Sequence, residues 1–143
     1  MIKGTKVTLR TVRETDLDTL FTLRSDISNR GKYYPLRLKS DTALKKEFHE
    51  TGLWTDTEGL LLICDKAEKI VGVIIADKDH YDGIDIGYII FDEASRNKGY
   101  VTEAASLLVN FLFMTRKLNR ISISIQPPNL ASKRVAEKCR FKF

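Results

Sequence analysis

The sequence predicts an α+β fold in which helices pack on a mixed, mostly antiparallel β-sheet. Apolar residues recur with strand and helix periods in the order β-α-α-β-β-β-α-β-α. Consecutive strands in the middle predict antiparallel hairpins, whereas the later β-α-β unit predicts one parallel pair. With 143 residues, the chain is expected to form a single domain, 1–143, with a buried core.

The first part of the chain is predicted to supply one strand and two helices. Residues 5–13 alternate apolar and polar side chains and predict the first strand. Thr15, followed by Asp18 three residues later, predicts the N-cap of the first helix. Ser40 predicts the start of the second helix.

The rest of the chain is predicted to supply four strands and two helices. Strands rich in β-branched and apolar residues are expected at 59–65, 69–77, 84–91 and 120–126. An amphipathic helix is expected from about Gly99 to Lys117, and Asn129 predicts the N-cap of the last helix. Residues 141–143 have the pattern of a strand that has just begun, so we expect the sheet to lack its last strand or strands.

Composition and charge argue against several classes of protein. No apolar stretch approaches the roughly 20 residues that span a bilayer, and residues 1–10 lack the apolar core of a signal peptide. The net charge of +5 is dispersed among acidic residues, which does not favour nucleic-acid binding. Cys64 and Cys139 form no CxxC pair, so we expect neither a disulfide framework nor a metal site. Two isolated cysteines suit a reducing compartment, so we expect a cytoplasmic location.

The segment RNKGYVTEAASLL, which starts at Arg96, joins a basic loop to an amphipathic helix. The N–H groups at a helix N-terminus are unpaired and carry partial positive charge, so they favour an anion. Gly99 has no Cβ and would let phosphate oxygens approach the backbone, and Arg96 and Lys98 add cationic side chains. A basic loop before a helix also occurs without any ligand, so this segment alone leaves both interpretations open.

This loop resembles the pyrophosphate-binding loop of the GNAT N-acetyltransferases, whose pattern is Arg/Gln-x-x-Gly-x-Gly/Ala. Here it is Arg96-Asn97-Lys98-Gly99-Tyr100-Val101, and Val101 departs from the usual small residue. NKGYVTEA is similar to the corresponding segment of one branch, the ribosomal-protein N-terminal acetyltransferases. LRTVRETDLDTL, IDIGYII and LNRISISIQPPNLASKRVAEKCRF resemble that branch's first strand and helix, its fourth strand, and its fifth strand with the final helix. The resemblance covers essentially the whole chain.

The resemblance implies helices on both faces of the sheet, a splayed pair formed by the fourth and fifth strands, and acetyl-CoA as co-substrate. The pantetheine arm would pair with backbone groups in the gap, and a backbone N–H of the fourth strand would polarise the thioester carbonyl. The pyrophosphate would bind the N–H groups that follow Arg96. The residues implied to contact acetyl-CoA are Ile89, Ile90, Phe91, Arg96, Asn97, Lys98, Gly99, Tyr100, Val101, Thr102, Asn129 and Ser132.

Two side-chain roles follow from the same resemblance. Many family members place a Tyr on the last helix as proton donor to the departing thiolate, but the corresponding residue here is Ala136. This branch has a Ser three residues after an Asn, which implies Ser132 as the donor and Asn129 as a contact to the pantetheine or the site wall; both also suit a simple helix cap.

Asp85 is the candidate base for the attacking ammonium because it alternates away from its apolar neighbours, although a solvent-facing strand carboxylate explains it equally. Arg140 stands where the family usually has a Gly that ends the helix in a left-handed turn, so we expect strain or a different helix ending.

We therefore expect an enzyme, an acetyl-CoA-dependent N-acetyltransferase acting by direct attack of a primary amine in a ternary complex. The amine could belong to a protein N-terminus or to a small molecule. An inactive GNAT-fold module that binds CoA is the alternative favoured by Val101 and Ala136, and a basic RNA- or ribosome-associated protein is less favoured. The expected partners are acetyl-CoA and an amine acceptor, without metal, membrane or nucleic acid, and a homodimer stays open.

Overall fold

The computed structural model describes residues 1–29, 32–33 and 38–142, and within them it contains six strands and four α-helices. The strands are β1 (Ile2–Lys3), β2 (Thr8–Arg10), β3 (Gly59–Cys64), β4 (Ile70–Lys78), β5 (Ile84–Ile90) and β6 (Ile121–Ile123). The helices are α1 (Leu17–Ser25), α2 (Asp41–Thr51), α3 (Tyr100–Thr115) and α4 (Leu130–Lys138).

The six strands form one sheet in which each strand lies beside its neighbours in the chain, in the order β1-β2-β3-β4-β5-β6. The first five strands pair antiparallel, and β5 pairs with β6 in parallel. A parallel pair needs a crossover connection, and α3 supplies it. This topology confirms the predicted mixed, mostly antiparallel sheet.

Helices cover both faces of the sheet, as the sequence resemblance implied. On one face, Leu108 of α3 is buried in the same cluster as Ile86 of β5, and Val135 of α4 packs against that cluster. On the other face, Leu20 of α1 and Leu44 of α2 are buried with Ile89 of β5. Because side chains alternate between the faces along a strand, the residues of β5 belong in turn to the α3–α4 face and to the α1–α2 face.

The N-terminal segment differs from the single strand predicted for residues 5–13. The chain forms a hairpin of β1 and β2, in which the N–H of Gly4 donates to the carbonyl of Val7 at 2.8 Å. A strand of two residues is too short to show a period, and β1 was therefore missed.

Three of the predicted helix caps can be compared with the structure. The prediction for Thr15 is wrong, because this residue lies inside a short 3₁₀ turn, Glu14–Asp16. Ser40 caps α2 as predicted, since its hydroxyl accepts the N–H of Ala43 at 3.1 Å. Asn129 caps α4 as predicted, since its Oδ1 accepts the N–H of Ser132 at 3.2 Å.

Helix α4 ends in the left-handed turn that favours glycine, with Arg140 in its place at a φ of 65°. The N–H of Arg140 donates to the carbonyl of Glu137 and the N–H of Phe141 to that of Ala136, both at 2.9 Å, which is the hydrogen-bond pattern of a Schellman motif. The helix ending that the resemblance implied is therefore kept, at the cost of backbone strain. Phe141 and Lys142 are not in a strand, and Phe143 lies outside the described residues.

Candidate active site

Strands β5 and β6 lie side by side at one end and separate towards the other. Their ladder pairs Ile84 with Ile121 and Ile86 with Ile123, and β6 ends there while β5 continues to Ile90. A cleft of about 800 Å³ opens in the gap, with residues 87–90 on one side and 123–126 on the other. The two strands therefore splay as the resemblance implied.

The backbone of β5 presents hydrogen-bonding groups to this cleft. The N–H of Ile84 donates to the carbonyl of Arg120, just before β6, at 3.2 Å. The N–H of Phe91 instead donates to the carbonyl of Val71 in β4, at 2.9 Å. Backbone groups of successive residues point to opposite edges of a strand, so those of Tyr88 and Ile90 face the cleft.

The three residues predicted to meet the pantetheine thus differ in position. Ile90 offers its backbone groups to the cleft. Ile89 lines the cleft, but its backbone groups are directed to β4, and its side chain is buried on the α1–α2 face. Phe91 does not line the cleft and its N–H is engaged by Val71, so its predicted backbone contact needs correction to Tyr88.

The loop from β5 to α3 forms one end of the cleft. Asp92 accepts the N–H of Ser95 at 2.6 Å, and Gly99 lies at the N-cap of α3 with a φ of 79°, in the left-handed region. Helix α3 begins at Tyr100, as predicted, and its first N–H groups have no partners within the helix. Residues of the predicted loop that line the cleft are Arg96, Asn97, Gly99, Tyr100, Val101 and Thr102, whereas Lys98 does not.

A carboxylate in the first turn of α3, that of Glu103, holds the N-terminal hairpin against this helix. Its Oε1 accepts the N–H and the hydroxyl of Thr5 at 2.8 and 2.6 Å, and its Oε2 accepts the N–H groups of Lys6 and Val7, both at 2.7 Å. Burial by itself raises the pKa of Glu103, but these hydrogen bonds outweigh it and hold the pKa below its ordinary value. The carboxylate is therefore ionised at neutral pH and ties the start of the chain to the cofactor loop.

The same hairpin places a cation beside Gly99. The Nζ of Lys6 donates to the carbonyl of Lys98 at 3.3 Å, and a Cβ added to Gly99 would lie 2.7 Å from this Nζ. Glycine at this position therefore serves mainly the left-handed backbone, because the end of the flexible lysine side chain can move aside.

The first turn of α4 lies across the cleft from β5. Ser132 and Asn129 line the cleft, and the cap bond between them fixes this turn. The phenol of Tyr88 donates to the carbonyl of Ser132 at 3.4 Å. Burial raises the pKa of Tyr88, more than its hydrogen bond with Ser132 lowers it, so the phenol stays protonated. The phenol of Tyr88 thus lies beside the backbone of Ser132 at the α4 side of the cleft.

Asp85 lies on the α1–α2 face of β5, opposite to its buried neighbours Ile84 and Ile86. Its Oδ1 accepts the hydroxyls of Ser122 at 2.9 Å and of Ser124 at 3.4 Å, both from the neighbouring chain segment. The predicted alternation is correct, but Asp85 does not line the cleft itself. It lies two residues before Gly87, which does.

Part of the loop between α1 and α2 reaches the rim of the cleft. The phenol of Tyr33 donates to the carbonyl of Pro128 at 3.3 Å, and the side-chain amide of Gln126 donates to the carbonyl of Tyr33 at 3.3 Å. From the sequence, we expect the acceptor side of the site to involve the first two helices and the loop that contains Tyr33, Tyr34 and Arg37; of these residues, Tyr34 and Arg37 lie outside the described residues.

Neither a metal-binding cluster nor a membrane-spanning helix is found in the described part of the chain. No group of three or more His, Cys, Asp or Glu side chains there could hold a metal ion. None of the described helices has the length and apolar character to cross a membrane.

Comparison with known proteins identifies the family. Residues 6–142 match the family model described as the acetyltransferase (GNAT) domain. The chain belongs to the GNAT acetyltransferase family.

Two curated relatives come from Bacillus subtilis. A probable N-acetyltransferase, YjcK, is 46% identical over 56 residues, which are 39% of this chain and 30% of that protein. An uncharacterised N-acetyltransferase, YnaD, is 32% identical over 114 residues, which are 69% of this chain and 66% of that protein. The matched segments thus span less than two thirds of either relative.

Solved structures show the same fold. A GNAT-family acetyltransferase from Bacillus anthracis superimposes with a TM-score of 0.77 at 26% identity, covering 96% of this chain and 81% of its own. The spermidine N-acetyltransferase of Vibrio cholerae, solved with CoA and spermine, also gives 0.77, at 16% identity and with 95% and 80% covered. The second likeness concerns the fold alone.

The residues of the cleft fit acetyl-CoA. An elongated arm with two amides needs backbone partners along its length, which Tyr88 and Ile90 present, and a pyrophosphate needs clustered donors, which the start of α3 presents. Tyr88, which lines the cleft, and Lys6, which lies beside Gly99, were not predicted. The alternation of IDIGYII would have placed the backbone of Tyr88, but nothing in the sequence connects Lys6 to a loop more than ninety residues away.

Proposed function

We propose that the protein is an acetyl-CoA-dependent N-acetyltransferase that moves an acetyl group to a primary amine by direct attack in a ternary complex. The observation that carries this proposal is the cleft between β5 and β6, closed at one end by the N-terminus of α3. It combines an extended backbone edge with an anion-binding helix end, which is the combination that an acyl-CoA requires. Membership of the GNAT family supports the same activity.

The chain's own residues would divide the work by position. The N–H groups from Asn97 to Thr102 would bind the pyrophosphate, assisted by Arg96 and with Lys98 as a more distant cation. The backbone of Tyr88 and Ile90 would orient the pantetheine arm and the carbonyl. Bound acetyl-CoA would supply the activated acetyl group.

At the other end of the cleft, Ser132 would donate a hydrogen bond to the departing thiolate, and Asn129 would form the wall beside it. Asp85, on the α1–α2 face, would accept the proton of the attacking ammonium directly or through water. We also retain the predictions of a cytoplasmic location and of kinship with the ribosomal-protein branch.

A thermal-shift titration with acetyl-CoA, followed by an assay of thiol release against a panel of primary amines, tests the proposal. We expect stabilisation by acetyl-CoA and turnover with at least one amine. Stabilisation without turnover would support the inactive CoA-binding module instead. No stabilisation at millimolar acetyl-CoA would refute the central claim.

Substitution of Gly99 tests the placement of the pyrophosphate. Gly99→Glu should abolish stabilisation by CoA, because it adds a negative charge at the helix end. Gly99→Asn is the matched control, since Asn tolerates the left-handed region and carries no charge. Normal CoA binding by Gly99→Glu would show that the loop has been placed wrongly.

Substitution of Ser132 tests the role proposed for its hydroxyl. Ser132→Ala should lower kcat while the dissociation constant for CoA stays within about twofold, because its cap bond uses the backbone N–H and not the hydroxyl. An unchanged kcat would exclude Ser132 as a donor and would direct attention to the phenol of Tyr88.

A further inference from the structure

Gly87 is an exposed residue in the middle of β5, between buried Ile86 and half-buried Tyr88. A Cβ added to Gly87 would have no heavy atom within 4 Å, so open space lies beside it. Glycine weakens a strand interior, because it has no side chain to pack and loses more conformational freedom on folding. Such a residue often marks a close approach of a ligand to the backbone.

Gly87 lies where the cleft between β5 and β6 meets the α1–α2 face of the sheet. It is the first residue of β5 beyond the ladder with β6, whose last pair is Ile86 with Ile123. By alternation it belongs to the same face as Asp85 and Ile89, and it also lines the cleft. The missing side chain therefore leaves a passage from the α1–α2 face to the gap between the strands.

The chemistry beside this passage is acidic. Asp85 lies two residues away on the same face, at a distance of roughly 7 Å along a strand. Two hydroxyls, those of Ser122 and Ser124, donate to its Oδ1 and fix the carboxylate in place. Asp77 of β4 is the cross-strand partner of Asp85 and is exposed on the same face. A chain with a net charge of +5 thus has negative charge at this position.

We propose that Gly87 is a specificity-determining residue for the acceptor: its missing side chain admits the ammonium group of the acceptor past Asp85 to the cleft. This inference rests on the proposed acetyl transfer and adds the route and the charge of the second substrate. A side chain at position 87 narrows the passage, whereas the anion-binding end of the cleft at α3 lies beyond the end of β5 and is left intact.

A pair of substitutions at position 87 tests the route. Gly87→Ala and Gly87→Val should raise KM for the best amine found for the wild type, the second by at least about tenfold, because each added methyl fills more of the passage. The dissociation constant for CoA, measured by calorimetry, should stay within about twofold. Lys78→Val, an exposed valine substitution elsewhere in the sheet that does not line the cleft, is the control for both measurements.

The outcomes separate this inference from the proposed function. If the wild type fails to bind acetyl-CoA, the proposed function fails before any variant is compared. If the wild type acetylates an amine and Gly87→Val leaves its KM unchanged, the route through Gly87 is wrong. Equal weakening of CoA and of the amine would also overturn it, because Gly87 would then act on the cofactor.

A labelling experiment tests the charge of the passage without catalysis. Gly87→Cys is treated with a methanethiosulfonate reagent that carries an ammonium group and, separately, with one that carries a sulfonate, and each rate is divided by the rate with free glutathione. The cationic reagent should be favoured by about five- to tenfold because of the nearby carboxylate. Adding Asp85→Asn should remove most of this preference. The wild type, with Cys64 buried and Cys139 half-buried, gives the background rate. A preference for the anionic reagent, or one that Asp85→Asn leaves unchanged, would overturn the assignment.

Discussion

The carboxylate of Glu103 is predicted to be a major source of stability for the N-terminal hairpin. Glu103→Ala removes four hydrogen-bond acceptor contacts to Thr5, Lys6 and Val7. Water can replace those of Thr5 and Lys6, which are exposed, whereas the N–H of Val7 is partly buried. Counting about 2 kcal/mol for the partly buried bond and roughly 0.5 kcal/mol for each of the three exposed ones, the expected loss is about 3.5 kcal/mol.

Urea unfolding monitored by circular dichroism at pH 7 measures this loss, which should correspond to a fall of roughly 10 °C in Tm for a domain of this size. Asp18→Ala is the matched control, because Asp18 is also an acidic residue in the first turn of a helix. It should cost at most about 1 kcal/mol, the usual contribution of a charge at a helix end. A loss for Glu103→Ala no larger than that of the control would refute the role assigned to the carboxylate.

The pH dependence gives a second test of the same contact. The pKa of Glu103 lies below its ordinary value of 4.5 in the folded state, so the unfolded state binds the proton more readily. The stabilisation is therefore fully present above pH 4.5 and is lost as pH falls through the lowered pKa. The difference between wild type and Glu103→Gln should shrink correspondingly in acid, and a difference independent of pH would contradict this account.

Three further substitutions are expected to change the free energy of unfolding: one should raise it and two should lower it. Arg140→Gly should stabilise the protein by about 1 kcal/mol in urea unfolding, since it relieves a left-handed backbone in a non-glycine residue; a lower stability would show that the Arg side chain matters more than the strain. Gly72→Ala should cost at least about 2 kcal/mol, because its Cβ would lie 2.3 Å from the carbonyl oxygen of Ile89, whereas Gly87→Ala should change stability little. Equal effects of these two would contradict the packing described. Asp79→Asn should destabilise the protein at pH 7, because it weakens the hydrogen bond from Arg120. This bond is the largest of the contacts that hold the pKa of Asp79 below 3.8. The difference in stability between variant and wild type should vanish as the pH falls through that lowered pKa.

The features that the sequence predicted correctly depend on short-range patterns. The start of α3 follows from Gly99 and the amphipathic run after it, and the cap of α4 follows from Asn129 alone. The face of Asp85 follows from the period of two along a strand. Each of these can be read within about ten residues of chain.

The features that were missed depend on contacts between distant parts of the chain. Hairpin β1–β2 is held by Glu103, which lies 96 to 98 residues further along the chain. No local sequence pattern predicts a contact over that distance. The backbone contact expected of Phe91 depends on which edge of β5 faces β4, which the pairing of Phe91 with Val71 decides, and the length of β6 was overestimated from alternation that runs on beyond Ile123. Alternation specifies a face but does not specify where a neighbouring strand stops.

Cations lie beyond the end of β5 and a carboxylate lies on its α1–α2 face, and this arrangement links the fold to the proposed reaction. The end of the cleft at α3 offers Arg96, Lys6 and unpaired N–H groups, whereas the α1–α2 face offers Asp85. A polyanionic acyl donor would be attracted to the end of the cleft at α3 and a cationic amine to Asp85, and each would be repelled from the other's position. Asp85 precedes Gly87 along β5 and the cationic end of the cleft follows it, and Gly87 is the residue of that strand that has no side chain. Raising the salt concentration should therefore weaken the binding of both substrates, and Asp85→Asn should reduce that salt dependence for the amine without changing it for CoA.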